Sequence, residues 1–355
     1  MATIAGPAAN KAAETSASPH VTPERILQMT WGYAVPLVLE AAVRHRVFDV
    51  LDSGPMTLSQ VAGATGASER GLAGILNVLV GFEFLSKDGD VYGLTPESSA
   101  FLVSTKPSFQ GGILRHASQQ LIPAWLHLNE VVATGRPAHA VNDEQKGKEF
   151  FAQFVNDIFP MSYPAAQDLA QHLRLDLMSG PVSVLDLATG SGVWGIALAQ
   201  SAPQVRVRAV DWPDVLKVTA GTVSRFGLTD RFTFSAGDLH AADFGSGHHV
   251  ATLGHILHSE GEERSRTLLA RTFEALTPGG TIAIAEFLVN AERTGPVKGC
   301  FDSASPAARF DGRSFRCERA NHYLAATSFQ NSAAGLSLMT SSPGSARRNC
   351  SRSAW

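Results

Sequence analysis

Residues 182–199, VSVLDLATGSGVWGIALA, decide the fold. "VSVLDLA" is apolar at nearly every position, the mark of a strand buried on both faces. A glycine loop follows, with Gly190, Gly192 and Gly195 in a G-x-G-x-x-G arrangement. "GVWGIALAQSA" then reads as a helix. Glycines let the backbone pass close to a ligand and open a helix whose N–H groups attract a negative group. Strand, glycine turn and helix in succession form the unit from which parallel sheets are wound.

Downstream the unit repeats. "VRVRAVDW" at 205–212, "FTFSAGD" at 232–238, "HVATLGHIL" at 249–257 and "TIAIAEFLV" at 281–289 read as strands. "EERSRTLLARTFEAL" is a helix stopped by "TPGG". This alternation predicts an α/β, doubly wound Rossmann-like sheet, with ligands at the carboxyl ends of its strands.

Upstream the texture is helical. "PERILQMTWGYAVPLVLEAAVRHRVFDVL" has apolar residues at helical spacing, and "MTLSQVAGATGASERGLAGILNVLVGFEFL" reads as helix, turn, helix, with Thr57 and Ser68 as N-caps. "FLSKDGDVYGLT" is a hairpin signal around Asp88-Gly89. Helices followed by a hairpin make a winged helix. The expected division is a disordered tail at 1–22, a winged-helix domain at 23–104, a helical region at 105–180, the α/β domain at 181–297 and an atypical tail at 298–355. That tail lacks a sustained period. From residue 297 on it holds 11 serines and seven arginines against three acids. It reads as a shift of reading frame near residue 297, and it supplies no recognisable edge strands.

Composition excludes several classes. The 355 residues carry 29 Lys plus Arg against 32 Asp plus Glu, a net charge of -3, so no global basic field recruits nucleic acid. No uncharged apolar run reaches the roughly 18 residues that a bilayer span needs, and the N-terminus lacks the apolar core of a secretory signal. A cytoplasmic protein with no membrane partner is expected. Cys300, Cys317 and Cys350 show no metal-ligand spacing, and no metal is expected.

The loop's ligand is read from acids at three successive strand ends. Asp186, just before the glycines, would repel a pyrophosphate and suit an ammonium beside a carboxylate, as in the amino-acid end of S-adenosylmethionine. Asp211 could accept two ribose hydroxyls. Asp238, in "AGDL" with Leu239, could accept the exocyclic amine of an adenine. Trp212 could stack near that adenine. An NAD-dependent oxidoreductase is disfavoured by Asp186. A DNA-binding regulator is disfavoured by "ASERGLAGILNVLV", which offers one arginine and no lysine for phosphate contacts.

"VLDLATGSG", "VDWP", "AGDL", "HILHSE" and "LTPGGTIAIAEF" resemble the class I small-molecule O-methyltransferases of the caffeic acid and hydroxyindole type, over roughly residues 22–297. The resemblance implies S-adenosylmethionine as cofactor, a winged helix used for homodimerisation, and a small aromatic or polyketide-like acceptor. It implies His258 as general base on the acceptor hydroxyl and Glu286 as the residue orienting it. General-base catalysis is typically worth about 10²–10⁴-fold. Where the family often has Asp-Trp after this histidine, the chain has Ser259-Glu260. The helical region would line the acceptor pocket, with Phe154, Phe159, Met161 and Tyr163 facing a flat, apolar ligand. The tail leaves one rival reading, an impaired homologue with a truncated sheet.

Overall fold

The computed structural model describes residues 21–136, 154–286, 294, 326–331, 336–341 and 350–352. The expected disordered tail therefore lies outside the described residues up to position 20.

The N-terminal part is helical, with a small sheet. α1 (Glu24–Thr30), α2 (Ala34–Arg44) and α3 (Val47–Leu51) divide the stretch of helical spacing, because the chain turns at Trp31–Tyr33 and again at His45–Arg46, where Arg46 takes a left-handed φ of 58°. β1 (Met56–Thr57) leads into α4 (Leu58–Thr65) and α5 (Glu69–Gly81), and β2 (Leu85–Asp88) pairs with β3 (Val91–Leu94) across a two-residue turn. Gly89, at φ 55°, makes that turn. Thr57 caps α4 in a box with Gln60, whereas Ser68 occupies the N-cap position of α5 without a side-chain capping bond. The hairpin and helices enclose their own core of Phe48, Leu72, Leu76, Leu79 and Leu85. This is the expected winged helix.

Helix α6 (Pro96–Phe101) precedes a helical stretch of α7 (Gly112–His116), a π-helical turn at Ala117–Leu121, α8 (Ile122–Trp125) and α9 (Leu128–Thr134). After the undescribed 137–153, a helix running from Phe154 reaches α10 (Phe159–Leu173).

The large sheet contains β4 (Val182–Leu187), β5 (Val205–Asp211), β6 (Phe232–Ala236), β7 (His248–Gly254) and β8 (Leu276–Ala285) in parallel, in the order β6-β5-β4-β7-β8. α11 (Val193–Ser201), α12 (Pro213–Arg225), α13 (Leu257–Glu260) and α14 (Glu262–Ala275) fill the crossovers. Two apolar clusters form on the sheet, one around Val184, Ile196 and Leu198, the other around Leu187, Leu253 and Leu268. Each fully buried leucine contributes about 1.5–3 kcal/mol. α11 is apolar all round, because it lies between the sheet and α10, and its residues 193–199 are all buried.

Two expectations change. "TPGG" does not separate helix from strand: Leu276 already pairs with His248 and Thr281 with Val250, so Thr277–Gly280 bulge opposite His249. The sheet edge is also not truncated. β10 (Leu336–Ser341) runs antiparallel to β8, β9 (Ala326–Asn331) antiparallel to β10, and β11 (Cys350–Arg352) parallel to β9. The physical reason is that the outer edge of β8 presents a row of backbone donors and acceptors, which pair with extended chain of almost any composition. Both six-residue segments lack proline and can supply it.

Gly195 sits where α11 crosses β4. A Cβ there would lie 2.9 Å from both Asp186 Oδ2 and Val207 Cγ1. Gly195→Ala is expected to destabilise the protein by about 1–3 kcal/mol through overpacking. Gly221→Ala, inside α12 with nothing near the added methyl, is expected to stabilise it by about 0.5–1 kcal/mol. Chemical denaturation of the two variants beside the wild type checks both signs.

Candidate active site

Because β6, β5, β4, β7 and β8 are parallel neighbours, their carboxyl ends share one edge of the sheet. Asp186, Asp211, Asp238, His258 and Glu286 lie at or just beyond those five ends. This is where an open parallel sheet binds its ligand.

Asp186 does not face the ligand as the sequence suggests. It is wholly buried, and protein donors take both of its oxygens. Thr189 Oγ1 donates to Oδ2 at 2.7 Å, Gly195 N to the same oxygen at 3.0 Å, and Thr252 Oγ1 to Oδ1 at 2.6 Å. Burial pushes the carboxyl up to about 6, against the pull of these hydrogen bonds. Asp186 thus anchors the glycine loop. Thr189 and Thr252, which the sequence reading missed, complete that anchor. A polar residue flanked by apolar ones in a buried strand, as Thr252 is between Ala251 and Leu253, was the available signal.

The loop itself is a backbone cradle. Gly190 (φ 55°) and Gly192 (φ 83°) are left-handed, and a Cβ on them would press on Val155 and on Thr219 and Ile196. Asp211 is half-buried at the end of β5. It accepts from Gly190 N at 2.9 Å and from Trp212 N at 2.7 Å. Burial again pushes the carboxyl up to about 6. Trp212 is the half-buried N-cap of α12. Asp238 is exposed in its loop and accepts from His240 N at 2.8 Å, while Leu239 is buried behind it. The free helix end, the acid between two N–H donors and the exposed acid fit, in order, a carboxylate, a ribose and an amino-purine.

His258 and Glu286 are brought together. His258 Nδ1 lies 2.9 Å from Glu286 Oε2, and Glu286 Oε1 accepts from Leu257 N at 2.7 Å and His258 N at 3.3 Å. Glu286 is 1% exposed. Burial by itself would raise its carboxyl, but the charge and hydrogen bond of His258 and the charge of His255 hold it below the usual range. With Nδ1–H donated to the carboxylate, the ring keeps its lone pair on Nε2.

The acceptor-pocket residues divide. Phe154 packs against His116, ring centroids 4.5 Å apart. Its neighbour Val155 covers Gly190, so this pair adjoins the loop. Met161 is half-buried in α10. Phe159 and Tyr163 lie elsewhere. They stack on each other at 5.1 Å and on Phe226 at the far end of α12, and Tyr163 Oη donates to Gln200 Oε1 at 2.6 Å. Both pack on the core beneath the sheet edge that carries the site. Aromatic residues at helical spacing serve core and pocket alike, so the sequence could not separate them. Among the described residues no His, Cys, Asp or Glu cluster could hold a metal ion.

Comparison with known proteins bears on the fold and the family. Residues 27–104 match the model of the O-methyltransferase dimerisation domain, and residues 125–328 that of the O-methyltransferase domain. The chain is 28% identical over 299 residues to the 3-hydroxy-5-methyl-1-naphthoate 3-O-methyltransferase of Streptomyces sahachiroi, covering 82% of this chain and 85% of that one. A putative O-methyltransferase from Nostoc punctiforme superposes with a TM-score of 0.80 at 23% identity, covering 90% of this chain and 99% of its own. Human N-acetylserotonin methyltransferase in complex with S-adenosylmethionine gives 0.79 at 21% identity, covering 92% and 99%. With its catalytic-domain match spanning more than half its length, the chain belongs to the O-methyltransferase family.

Proposed function

We propose that this S-adenosylmethionine-dependent O-methyltransferase holds its cofactor along the ends of β4, β5 and β6 and uses His258 to deprotonate a phenolic hydroxyl of a small aromatic, polyketide-like acceptor. The 2.9 Å His258–Glu286 pair, with its buried carboxylate, carries the assignment of the base.

The glycine loop and the start of α11 meet the carboxylate of the amino-acid end. Asp211 takes the two ribose hydroxyls, and Asp238 with Leu239 and Trp212 holds the adenine. Asp186 acts through the loop it anchors. Bound there, the sulfonium supplies an activated methyl group. The acceptor proton passes to His258 Nε2, and the imidazolium that results is stabilised by Glu286. Phe154 and Met161 contribute the apolar wall on the acceptor side.

The match to a dimerisation domain supports a homodimer. Ile26, Leu27, Met29, Trp31 and Tyr33 are exposed around α1, which buries none of its own residues and so offers a surface for a second subunit. The 21-residue span Glu24–Arg44 is also apolar and long enough to cross a membrane. Its turn at Trp31–Tyr33 and its place in the dimerisation domain favour the subunit interface. A cytoplasmic setting without nucleic-acid or membrane partners completes the reading. The rival reading, an impaired enzyme with a truncated sheet, loses its main motive, since β9 and β10 complete the edge of the sheet.

His258→Ala is expected to lower kcat by about 10²–10⁴-fold while S-adenosylmethionine still binds. Activity on a naphthol-type acceptor, beside calorimetric titration of the same sample, checks this. A variant within a few-fold of wild type would show that proximity suffices without a base.

Asp211 supplies a pH dependence. Burial pushes its carboxyl up to about 6, and the ribose hydroxyls favour the ionised form. As pH falls through about 6, a growing fraction must lose a proton before binding. The Kd for S-adenosylhomocysteine should therefore rise by up to about tenfold per pH unit below that point. Titrations from pH 5 to 8 check it; a flat profile would remove Asp211 from the cofactor contacts.

A further inference from the structure

The loop after β6 and the helix that carries His258 belong to different crossovers, yet one ionic network joins them. Asp238 Oδ1 accepts from the backbone of His240. The His240 ring then reaches Glu260, Nε2 to Oε2, at 2.8 Å. Glu260 is the last residue of α13, and its side chain is 5% exposed. Arg264 Nε donates to the same Glu260 oxygen at 2.6 Å, and Arg264 Nη2 lies 3.7 Å from Asp238 Oδ2. The circuit Asp238–His240–Glu260–Arg264 closes on itself. Arg271 braces the same loop from α14, donating to the carbonyl oxygens of Leu239 and Ala242 and lying 4.2 Å over the Phe244 ring.

We propose that Glu260 and His240 form a positioning pair that fixes the Asp238 carboxylate for the exocyclic amine of the cofactor's adenine. The proposal rests on the reading of Asp238 as the adenine partner. Asp238 stands in an exposed loop, where a carboxylate on a mobile backbone recognises little. Its aim comes from partners that are less mobile. Glu260 is nearly dry, and a dry carboxylate persists where charged donors compensate its lost water. Arg264 is shared between it and Asp238, so the orientation of Asp238 follows from the charge at Glu260.

The test compares two probes that differ at the adenine amine, S-adenosylhomocysteine and S-inosylhomocysteine, by calorimetric titration. Wild type is expected to prefer the first by about 10–100-fold, because a carboxylate aimed at an amine is left facing a carbonyl in the second. In Glu260→Gln, and in His240→Gln, that preference should fall to within about threefold, and the double variant should lose no more than either single one. Thermal unfolding accompanies each titration. A lowered melting temperature with the full preference retained would reduce the network to a structural tie and overturn the proposal. Should Glu260→Gln not fold, His240→Gln reads the same contact from its more exposed side. Wild type showing no preference between the probes would instead overturn the adenine reading of Asp238.

Discussion

The carboxylate of Asp186 is the constraint on which the site depends. Its three donors come from three different elements: Thr189 in the glycine loop, Gly195 at the start of α11, and Thr252 in the neighbouring strand β7. Without it the loop would have no reason to take one path among many. A fully buried charge is expensive to leave unpaired, and that expense makes the loop conformation single-valued. Asp211 repeats the device one strand over, accepting from Gly190 on the opposite flank of the same loop. Two acids therefore hold the loop, one through Gly195 N and Thr189, the other through Gly190 N.

The chain stores strain at the same edge. Ala188 (φ 49°) and His255 (φ 55°) are left-handed residues without the freedom of glycine, and each immediately follows a central strand, β4 or β7. Such a conformation costs about 1–2 kcal/mol per residue. At Ala188 the turn brings Thr189 back to Asp186. At His255 it turns the chain from β7 into α13, where His258 meets Glu286, and the His255 backbone N–H donates to Ala285 O at 2.8 Å. At these two residues the strain sits where the strands end and the site begins; Arg46, Glu83 and Arg174 are left-handed elsewhere in the chain.

How much of this the sequence showed depends on the range of each interaction. Strands β4, β7 and β8 were legible because burial on both faces writes apolar runs into the chain itself, and β5 and β6 because their apolar residues alternate with polar ones. Asp211, Asp238, His258 and Glu286 were legible because each follows such a run, and the parallel topology carries all of them to one edge. What closes through space was not legible. Thr252 reaches Asp186 across 66 positions and Glu260 reaches His240 across 20. Phe159 and Tyr163 looked like a pocket because only their distant partner, Phe226, reveals that they are core. Strands β9 and β10 escaped because they extend the sheet through backbone pairing, which no side-chain period reports.

The two halves of the site are joined differently, and this bears on how acceptors change. The donor half is cut from the sheet and fixed by buried acids. The helical side is anchored twice: α10 packs along α11, with Ala166, Leu169 and Ala170 in the same core as Ile196 and Leu198, and the segment before α10 meets the glycine loop. Val155 rests on Gly190, and just beyond it Asp157, 7% exposed in its side chain, pairs with Arg115 of α7. The backbone of Asp157 also lies so close to Gly112 that a Cβ there would sit 2.8 Å from its Cα. These contacts pin α7 and the segment at 154–158 to one another and, through Val155, to the loop. His116, packed on Phe154 with ring centroids 4.5 Å apart, ends α7 just before the π-helical turn at Ala117–Leu121, on the helical side of that seam. On the function proposed above, acceptor selectivity is set on this helical side, while buried charge fixes the loop on the sheet side.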